Sequence, residues 1–427
     1  MAPFFTVEGG HRLSGTVRPA GNKNAALPIL AATLLADGPV ELGNVPRIRD
    51  VETLIDLLRA QGASVDWTGD HAVRVDARGA SPADPDPALC HNIRASILLA
   101  GPMLARFGRV RLPPPGGDVI GRRRVDTHLL ALERLGARIE VGETFDFEAR
   151  RLEGADIFLD EASVTGTENA MMAAAAARGR TVLRNAASEP HVQDLAHFLV
   201  ALGAAIEGIG TNTLTIEGGR KLGGGAFSIG PDHIEIASFV GLAAVTNSDL
   251  TIEGVRPADL RSTLLGFERL GVLPRLDGDR LVVASGQARR IAADIGGHVA
   301  KLEDGPWPAF PADAMSIALV TATQCEGMIL LFEKMFESRL FFVDKLIGMG
   351  ARIVLCDPHR AVVSGPSRLH AGTVESPDIR AGLAMLLAAL AAEGTSTIHN
   401  VGQIERGYER IHERLAALGA VIRRGER

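Results

Sequence analysis

The stretch LERLGARIE (132–140) contains the turn that decides the fold, because it reads as the end of a helix, a glycine and the start of a strand. Glycine suits this turn because helices often end with one residue in the left-handed conformation, and the β-branched isoleucine that follows favours a strand. The pattern recurs as LLRAQGASV (57–65), LVALGAAIE (199–207), FERLGVLPR (267–275), LIGMGARIV (346–354) and LAALGAVIR (415–423). The chain is therefore predicted to repeat one helix–glycine–strand turn along its length.

A strand-like segment lies upstream of each of these helices: PVELGNVP, RVRLPPPG, TVLRNAAS, DLTIEGVR, MILLFEKM and STIHNVGQ. Successive turn glycines lie 74, 67, 68, 79 and 69 residues apart. Units of about 70 residues are too long for a thin solenoid and suit α/β subdomains. Any α/β protein contains some helix–glycine–strand turns, but a near-equal spacing with matched upstream strands is hard to obtain by chance. The sequence thus predicts an α/β fold with a sixfold pseudo-repeat, grouped by threes.

Further segments are mostly apolar and lack a broad polar face, which predicts buried helices. They are RASILLAGPMLARFG, TENAMMAAAAARG, IEIASFVGLAAVT, DAMSIALVTATQC and DIRAGLAMLLAALAAEG. Each opens near charged or hydroxyl residues, so its positive dipole end points outward. Several such ends in one cleft would form a site for anions.

Composition excludes several classes of protein. The apolar content of 46% and the charged content of 22% fit a globular protein with a large core. A net charge of −6 disfavours a general nucleic-acid binder, and no apolar run approaches the roughly 20 residues of a membrane span. No signal peptide is recognisable. Cys90, Cys325 and Cys356 form neither a metal spacing nor a disulfide framework, so we expect a cytoplasmic protein without a bound metal.

Four polar clusters carry the candidate chemistry. They are GNKN (21–24), PPPGGDVIGRRRVD (113–126), DGPWPAFPADAMS (304–316), and SPDIRAG (376–382) together with ERGYERI (405–411). Lysine and arginine suit phosphate and carboxylate groups. Each cluster also has a plainer interpretation: a solvated turn, a solvated basic loop, a helix N-cap at Asp313, and a cap with a surface ion pair at Asp378 and Arg380.

Nearly the whole chain resembles the UDP-N-acetylglucosamine 1-carboxyvinyltransferase family of enolpyruvyl transferases. The resemblance is carried, in order, by GNKNAALPIL, IRASILLAGPMLARFG, GGDVIGRRRVD, RNAASEPHVQDLAHFLVALGA, WPAFPADAMS, MFESRLFFVDKL, PDIRAG and ERGYERI. It implies two domains, each an inside-out α/β barrel of three similar subdomains, with the substrates bound between them. We expect one domain at 22–230, with a mobile loop at 113–124, and a second formed by 1–21 and 231–427.

The resemblance also implies the reaction. In this family the 3-hydroxyl of the UDP-sugar adds to C2 of phosphoenolpyruvate, a tetrahedral ketal forms, and phosphate leaves. Such a site needs cations for a phosphate and a carboxylate, an acid to protonate C3 and a base for the hydroxyl proton. Phosphoenolpyruvate and UDP-N-acetylglucosamine are therefore the expected partners, with no cofactor, nucleic acid or membrane.

The family's roles carry over residue by residue. The cations match Lys23, Arg123, Arg406 and Arg380. The base near the sugar 3-hydroxyl matches Asp313, and a carboxylate near phosphoenolpyruvate matches Asp378. Contacts with the nucleotide-sugar match Asn24 and Arg94. Positions that line the uridine pocket match Arg124, Val125, Asp126, Ser163 and Val164, and Met335 is a further expected substrate-binding residue.

Asp118 departs from the family pattern, because it stands where most relatives have a cysteine. That cysteine is a proposed general acid and is the site alkylated by the epoxide fosfomycin. A carboxylic acid can donate a proton where its surroundings favour the protonated form, but a carboxylate is a poor nucleophile toward an epoxide. The sequence therefore predicts acid catalysis by Asp118 and insensitivity to fosfomycin.

Two further departures leave alternatives open. Arg122, Arg123 and Arg124 run together, so the match to Arg123 is open to a shift of one residue. The segment ASVTGTENAMM also differs from the commoner version beside the uridine pocket, so the acceptor could be another nucleotide, UMP or, less readily, shikimate 3-phosphate. A third alternative is an inactive paralogue that binds UDP-sugars.

Overall fold

A computed structural model describes residues 3–118 and 120–426. Met1, Ala2 and Arg427, which fall in the predicted domains, and Val119, in the predicted mobile loop, lie outside the described residues. The strands β1 to β23 are Pro3–Glu8, Ser14–Val17, Val40–Gly43, Ser64–Gly69, Ala72–Asp76, Arg109–Leu112, Arg138–Val141, Phe145–Glu148, Asp156–Phe158, Arg180–Arg184, Ala205–Glu207, Thr213–Glu217, Gly225–Ser228, Asp249–Glu253, Arg275–Asp277, Arg280–Val283, Ala300–Glu303, Gly327–Phe332, Ile353–Asp357, Arg360–Gly365, Thr373–Glu375, Thr395–His399 and Val421–Glu426.

The helices α1 to α13 are Lys23–Ala32, Arg49–Ala60, Pro87–Asn92, Ala100–Phe107, Asp126–Arg134, Val164–Ala176, Pro190–Ala201, His233–Thr246, Arg261–Arg269, Ala312–Ala322, Val343–Gly348, Ile379–Ala391 and Ile411–Ala417. Short 3-10 helices cover Thr33–Leu35, Ala77–Gly79, Arg94–Leu99, Pro257–Leu260 and Ile404–Arg406. None of these described helices is long and apolar enough to cross a membrane.

The predicted repeat is confirmed by the secondary structure. The strand upstream of each helix is β3, β6, β10, β14, β18 and β22, and the strand after each glycine is β4, β7, β11, β15, β19 and β23. The six turn glycines have positive φ angles: Gly62 93°, Gly136 98°, Gly203 113°, Gly271 73°, Gly350 100° and Gly419 99°. This conformation carries a steric cost for residues with a Cβ atom, which is why glycine marks each turn.

The sheets repeat one topology. Four-stranded sheets of the described chain have the orders β13-β3-β5-β4, β11-β12-β10-β9, β15-β16-β14-β2, β17-β18-β20-β19 and β21-β22-β1-β23, and a three-stranded sheet has the order β6-β8-β7. In each four-stranded sheet an edge strand pairs in parallel with the strand that precedes the helix, and the other pairings are antiparallel. In the last of these sheets, β1 occupies the place between β22 and β23.

The described chain divides into two compact units. We call residues 21–118 and 123–230 the central unit, and residues 3–20, 120–122 and 231–426 the terminal unit. Each unit has its own hydrophobic core. Residues 120–122, predicted in the first domain, fall in the terminal unit, and Gly21, predicted in the second, falls in the central unit.

The mostly apolar helices form the inside of each unit. In the terminal unit α8, α10 and α12 pack against one another, and in the central unit α6 packs against α1, α4 and α7. The segment RASILLAGPMLARFG was predicted as one helix, which is wrong at its start: residues 94–99 are 3-10 helix and α4 begins at Ala100. Pro102 has no amide to donate to the carbonyl of Leu98, which disfavours a continuous α-helix through this point.

Several predicted functional residues lie at the starts of these helices. Lys23 is the first residue of α1, Asp313 the second of α10, and Asp126 the first of α5. Ser163 and Asp378 immediately precede α6 and α12. Because unpaired amides and the positive dipole end meet at a helix start, these positions suit anionic ligands.

Candidate active site

Lys23 is held at the start of α1 by a buried ion pair. Asn22 caps the helix, since its Oδ1 accepts from the amides of Asn24 at 2.8 Å and Ala25 at 3.3 Å. The Lys23 Nζ lies 2.7 Å from Asp50 Oδ2, and both side chains are almost completely buried. A lysine paired in this way is fixed in position, and loss of one partner of such a pair costs about 3–5 kcal/mol.

Arg94 supports the glycine-rich loop. Its Nη2 donates to the carbonyl oxygens of Arg123 at 2.8 Å and Arg124 at 2.9 Å. Burial, and then the charge of Arg123, lower the pKa of Arg94 to about 10. The loop approaches so closely that a Cβ at Gly117, which has a φ of 105°, would lie 2.8 Å from the Arg94 Cβ. Arg94 thus shapes the segment that carries Asp118.

The three consecutive arginines have different surroundings. Arg122 is exposed, and its backbone amide donates to Glu337 Oε1 at 2.9 Å. Arg124 is exposed and pairs with Asp126 at 2.9 Å and Asp160 at 3.3 Å. Arg123 is half-buried. Arg123 is thus more buried than the two arginines beside it, and the match to Arg123 stays a prediction. Asp118 is half-buried as well.

The two segments predicted to line the uridine pocket are brought together by α5 and α6. Val125 precedes α5, Val164 begins α6, and Ser163 Oγ accepts from the Gly166 amide at 3.2 Å. His128 on α5 lies 2.8 Å from the amide nitrogen of Asn169 and 3.0 Å from Thr165 Oγ1 on α6.

Complete burial, and then the charge of Arg94, lower the pKa of His128 to about 3, so the ring is neutral. Its Nδ1 accepts from Asn169 Nδ2, and its Nε2 donates to Thr165, which is the tautomer that the partners require. The histidine thereby fixes the two helix starts relative to each other.

A second cluster, in the terminal unit, is built around Asp313. Arg339 Nη2 donates to Asp313 Oδ1 at 2.9 Å, and Arg380 donates to Oδ2 through Nε at 3.0 Å and Nη2 at 2.9 Å. Both guanidinium groups are buried, whereas the Asp313 side chain is 29% exposed. Two buried guanidinium groups thus bond to both oxygens of a carboxylate whose side chain stays partly exposed.

Arg380 has a second anchor inside the core. Its Nη1 donates to the hydroxyl oxygen of Tyr408 at 3.0 Å, and that hydroxyl lies 3.1 Å from Ser238 Oγ. Burial opposes the charge of Arg380, but Tyr408, Asp313 and Asp232 outweigh it and raise the pKa well above its ordinary value. Asp378 caps α12, accepting from the amides of Arg380 at 2.8 Å and Ala381 at 2.9 Å.

The plainer interpretations of this cluster are partly wrong. Pro311, and not Asp313, occupies the N-cap of α10, and the Asp313 carboxylate instead bonds to two arginines. Arg380 is buried and does not form a surface ion pair. The N-cap at Asp378 is confirmed. Asp313 and Arg380 therefore belong to one charge cluster, in which the arginines are buried and Asp313 is partly exposed.

The two remaining predicted residues also lie in the terminal unit. Arg406 ends the 3-10 helix Ile404–Arg406, is buried, and donates from Nη1 to Gln403 Oε1 at 3.0 Å. Met335 is exposed in the segment after β18, where its amide donates to Glu333 Oε1 at 3.2 Å. The buried guanidinium group of Arg406 is suited to binding an anion, whereas Met335 offers an apolar surface.

Three supporting residues were missed in the sequence. Asp50 lies in an ordinary amphipathic helix, and its partner Lys23 is far away along the chain. Arg339 lies in MFESRLFFVDKL, a segment that carries the family resemblance but does not by itself indicate a role for this arginine. Tyr408 is the one tyrosine of the chain and lies in ERGYERI, which was a usable signal. Among the described residues, no group of three or more His, Cys, Asp or Glu side chains is arranged to hold a metal.

Comparison with known proteins defines the class. A family model described as EPSP synthase (3-phosphoshikimate 1-carboxyvinyltransferase) matches residues 7–415. The crystal structure of the enolpyruvyl transferase NikO from Streptomyces tendae superimposes with a TM-score of 0.88 at 26% identity, covering 99% of both chains. EPSP synthase from Acinetobacter baumannii, at 18% identity and a TM-score of 0.76 over the full length of both chains, shows the fold alone. The predicted two-domain inside-out α/β fold of a carboxyvinyl-transferring enzyme is confirmed.

Relatives of higher sequence identity identify the family within this class of enzymes. A protein of Bradyrhizobium diazoefficiens named UDP-N-acetylglucosamine 1-carboxyvinyltransferase is 66% identical, over 99% of both chains. A protein of the same name from Treponema denticola is 53% identical, over 98% of both. The chain therefore belongs to the UDP-N-acetylglucosamine 1-carboxyvinyltransferase family and is a transferase enzyme.

Proposed function

We propose that this enzyme transfers the enolpyruvyl group of phosphoenolpyruvate to the 3-hydroxyl of UDP-N-acetylglucosamine and releases phosphate. The observation that carries the proposal is the 66% identity, over 99% of both chains, to a relative named for this activity. The step commits the sugar to peptidoglycan, so its loss is expected to affect cell-wall growth, cell shape and division. We place the reaction in the cytoplasm because both substrates are highly charged metabolites.

The predicted cations serve the anionic groups of phosphoenolpyruvate in this proposal. Lys23, at the start of α1, combines a point charge with the free amides of a helix end. Arg123, Arg380 and Arg406 add planar guanidinium groups, which bind phosphate and carboxylate oxygens in pairs. The burial of Arg380 and Arg406 supports this role, because a charge shielded from water acts more strongly on a bound anion.

Asp313 is the proposed base. Its carboxylate is kept charged by Arg339 and Arg380 and is still partly open, as a proton acceptor must be. It takes the proton of the sugar 3-hydroxyl as the oxygen bonds to C2, while an acid protonates C3. The ketal then loses a proton from C3 and expels phosphate, which restores the carbon–carbon double bond. Asp378 positions Arg380 through the backbone of α12, and its carboxylate is proposed to lie near phosphoenolpyruvate.

Asp118 is the proposed acid, and its chemistry accounts for the predicted insensitivity to fosfomycin. A carboxylic acid can deliver the proton to C3, yet it lacks the sulfur that opens an epoxide. The adjoining Gly117 has a φ of 105°, so the backbone beside Asp118 takes a conformation that glycine readily adopts.

The nucleotide-sugar is proposed to contact the starts of α1, α5 and α6 and the segments near them. The residues assigned to these contacts in the central unit are Asn24, Arg94, Arg124, Val125, Asp126, Ser163 and Val164. Met335, in the terminal unit, is a further proposed substrate-binding residue. The link through His128 supports a preformed pocket at the starts of α5 and α6.

Phosphate release tests the proposal. Purified enzyme is mixed with phosphoenolpyruvate and UDP-N-acetylglucosamine, UMP, shikimate 3-phosphate or no acceptor. Release is expected with UDP-N-acetylglucosamine alone, and mass spectrometry should show the enolpyruvyl ether. Lys23→Ala should abolish release, whereas Lys221→Ala, at an exposed lysine, should not. Release with UMP or shikimate 3-phosphate but not with the UDP-sugar would reject the proposed acceptor, and no release with any acceptor would favour an inactive paralogue.

A further inference from the structure

Two buried carboxyl groups lie side by side at the end of a parallel strand pair. β17 and β18 are paired in parallel with Glu303 opposite Phe332, so the residues that follow them, Asp304 and Glu333, are neighbours. Asp304 is 1% exposed and Glu333 is 0% exposed. Acidic groups are rarely buried so completely without a specific partner, and neither is needed for the reaction proposed above.

One oxygen of each carboxyl group accepts hydrogen bonds from backbone amides. Asp304 Oδ1 accepts from the Lys334 amide at 2.5 Å, and Glu333 Oε1 accepts from the amides of Met335 at 3.2 Å and Phe336 at 3.1 Å. No donor among the described residues reaches the remaining oxygens, Asp304 Oδ2 and Glu333 Oε2. The two side chains are placed to hydrogen-bond to each other, which requires that one of them keeps its proton.

Arg339 connects this pair to the candidate active site. Its side chain is 2% exposed, its Nε lies 3.6 Å from Glu333 Oε2, and its Nη2 donates to Asp313 Oδ1 at 2.9 Å. Burial opposes the charge of Arg339, but Asp313 and Glu333 outweigh it and raise its pKa. The guanidinium group is therefore held between the carboxyl pair and the proposed base.

We propose that Asp304 and Glu333 share one proton and act together as positioning residues, whose single negative charge holds Arg339 against Asp313. With one charge the pair balances one guanidinium group. With two charges it would draw Arg339 away from Asp313, and with none it would leave Arg339 without its second partner. The inference rests on the proposed function, because the position of Asp313 matters to catalysis only if Asp313 takes the hydroxyl proton.

The protonation state expected at neutral pH agrees with this arrangement. Burial first, and then the hydrogen bond with Asp304, raise the pKa of Glu333 to about 9. The pair thus keeps its proton up to that pH and loses it above. Among the residues that the structure describes, the charged or titratable groups around the pair include Arg339, Asp313, Asp378, Arg380, Lys334, His359 and Glu303.

Amide substitutions test the charge of the pair without changing its shape. Glu333→Gln and Asp304→Asn each replace the shared proton by a permanent N–H donor and keep one negative charge. We expect each to retain kcat within about 3-fold, and the double variant, which has no charge, to lose kcat at least about 10-fold with a smaller change in KM. Glu303→Gln, at the partly exposed neighbouring carboxylate, is the matched control and should behave as wild type.

The pH profile is the second measurement. In wild type and Glu303→Gln, kcat/KM should fall as the pH rises through about 9, because the pair then gains a second charge. In both single amide variants, kcat/KM should not fall as the pH rises through about 9, because neither variant has a shared proton to lose. A double variant as active as the single ones, or single variants that fall at the same pH as wild type, would overturn the proposal.

A readout independent of activity separates this inference from the proposed function. Carbon-13 NMR of the Glu333 carboxyl group in the full-length protein should show a titration near pH 9, which Asp304→Asn shifts. A titration near the ordinary glutamate range in wild type would overturn the shared proton, whether or not the enzyme releases phosphate. Absence of phosphate release together with a raised titration would instead reject the proposed function and leave the proton pair standing.

Discussion

Replacing Asp313 by asparagine removes one negative charge from between two buried arginines while keeping the size of the side chain. In the wild-type protein Arg339 bonds to one carboxylate oxygen and Arg380 to the other. An asparagine has one oxygen, so it can satisfy one of these arginines and must turn an N–H group toward the other. The substitution therefore tests both the anchoring and the proposed catalytic role of Asp313.

The expected loss of stability follows from these contacts. A hydrogen bond to a charged group contributes about 1.5–3 kcal/mol, and the asparagine of Asp313→Asn keeps the partner on one side. Because the Asp313 side chain is 29% exposed, water compensates part of the loss. We expect the free energy of unfolding to fall by about 2 kcal/mol, measured by denaturant titration. Loss of a general base is expected to lower kcat by at least about 100-fold.

Measuring both kcat and the free energy of unfolding of Asp313→Asn distinguishes a catalytic base from an anchor for the arginines. If kcat stays within about 5-fold of wild type while stability falls by about 2 kcal/mol, Asp313 is an anchor for the arginines and not the base. Asp357→Asn provides the control, since this partly exposed aspartate at the end of β19 bonds to the amides of His359 and Arg360 and to the Arg360 side chain. The control variant should change the stability slightly and kcat not at all.

Asp118→Cys should gain a covalent fosfomycin adduct, detected by mass spectrometry, and retain turnover, whereas an adduct on wild-type protein would refute the argument from nucleophilicity. Tyr408→Phe removes the acceptor of the Arg380 Nη1 and should cost about 1–3 kcal/mol of unfolding free energy. It should raise KM for phosphoenolpyruvate more than it lowers kcat, and an unchanged KM would separate Arg380 from substrate binding. Asn22→Ala removes the cap of α1 and should cost about 1 kcal/mol in denaturant titration, and an unchanged midpoint would contradict the capping role.

The repeat was readable from the sequence because its signals are local. A glycine such as Gly136 must reverse the chain within a few residues, and the helix before it and the strand after it show their own periodicities. The 3-10 segment at Arg94–Leu99 was missed because apolar content does not distinguish helix types. Pro102, which has no backbone N–H, was the residue in the sequence that disfavoured one continuous α-helix.

The candidate site was predictable by residue type and not by contact. Lys23 and Asp313 could be singled out because charged residues border apolar helices. Their partners, Asp50 and Arg339, depend on which elements pack together, and no local pattern encodes that choice. The plainer interpretation of Arg380 as a surface ion pair failed for the same reason, since burial of a charge is a property of the whole core.

The place of β1 between β22 and β23 has a consequence for how the protein is made. Glu8 pairs with Thr395 and with Val421, so the first strand leaves the ribosome long before its partners exist. The central unit, at residues 21–118 and 123–230, is complete well before then and can fold while synthesis continues. Until its partners are made, β1 is an unpaired strand whose free N–H and C=O groups can pair with strands of other chains. Insertion of β1 into the last sheet is thus expected to be a late event of biosynthesis and the moment at which a nascent chain most benefits from a chaperone.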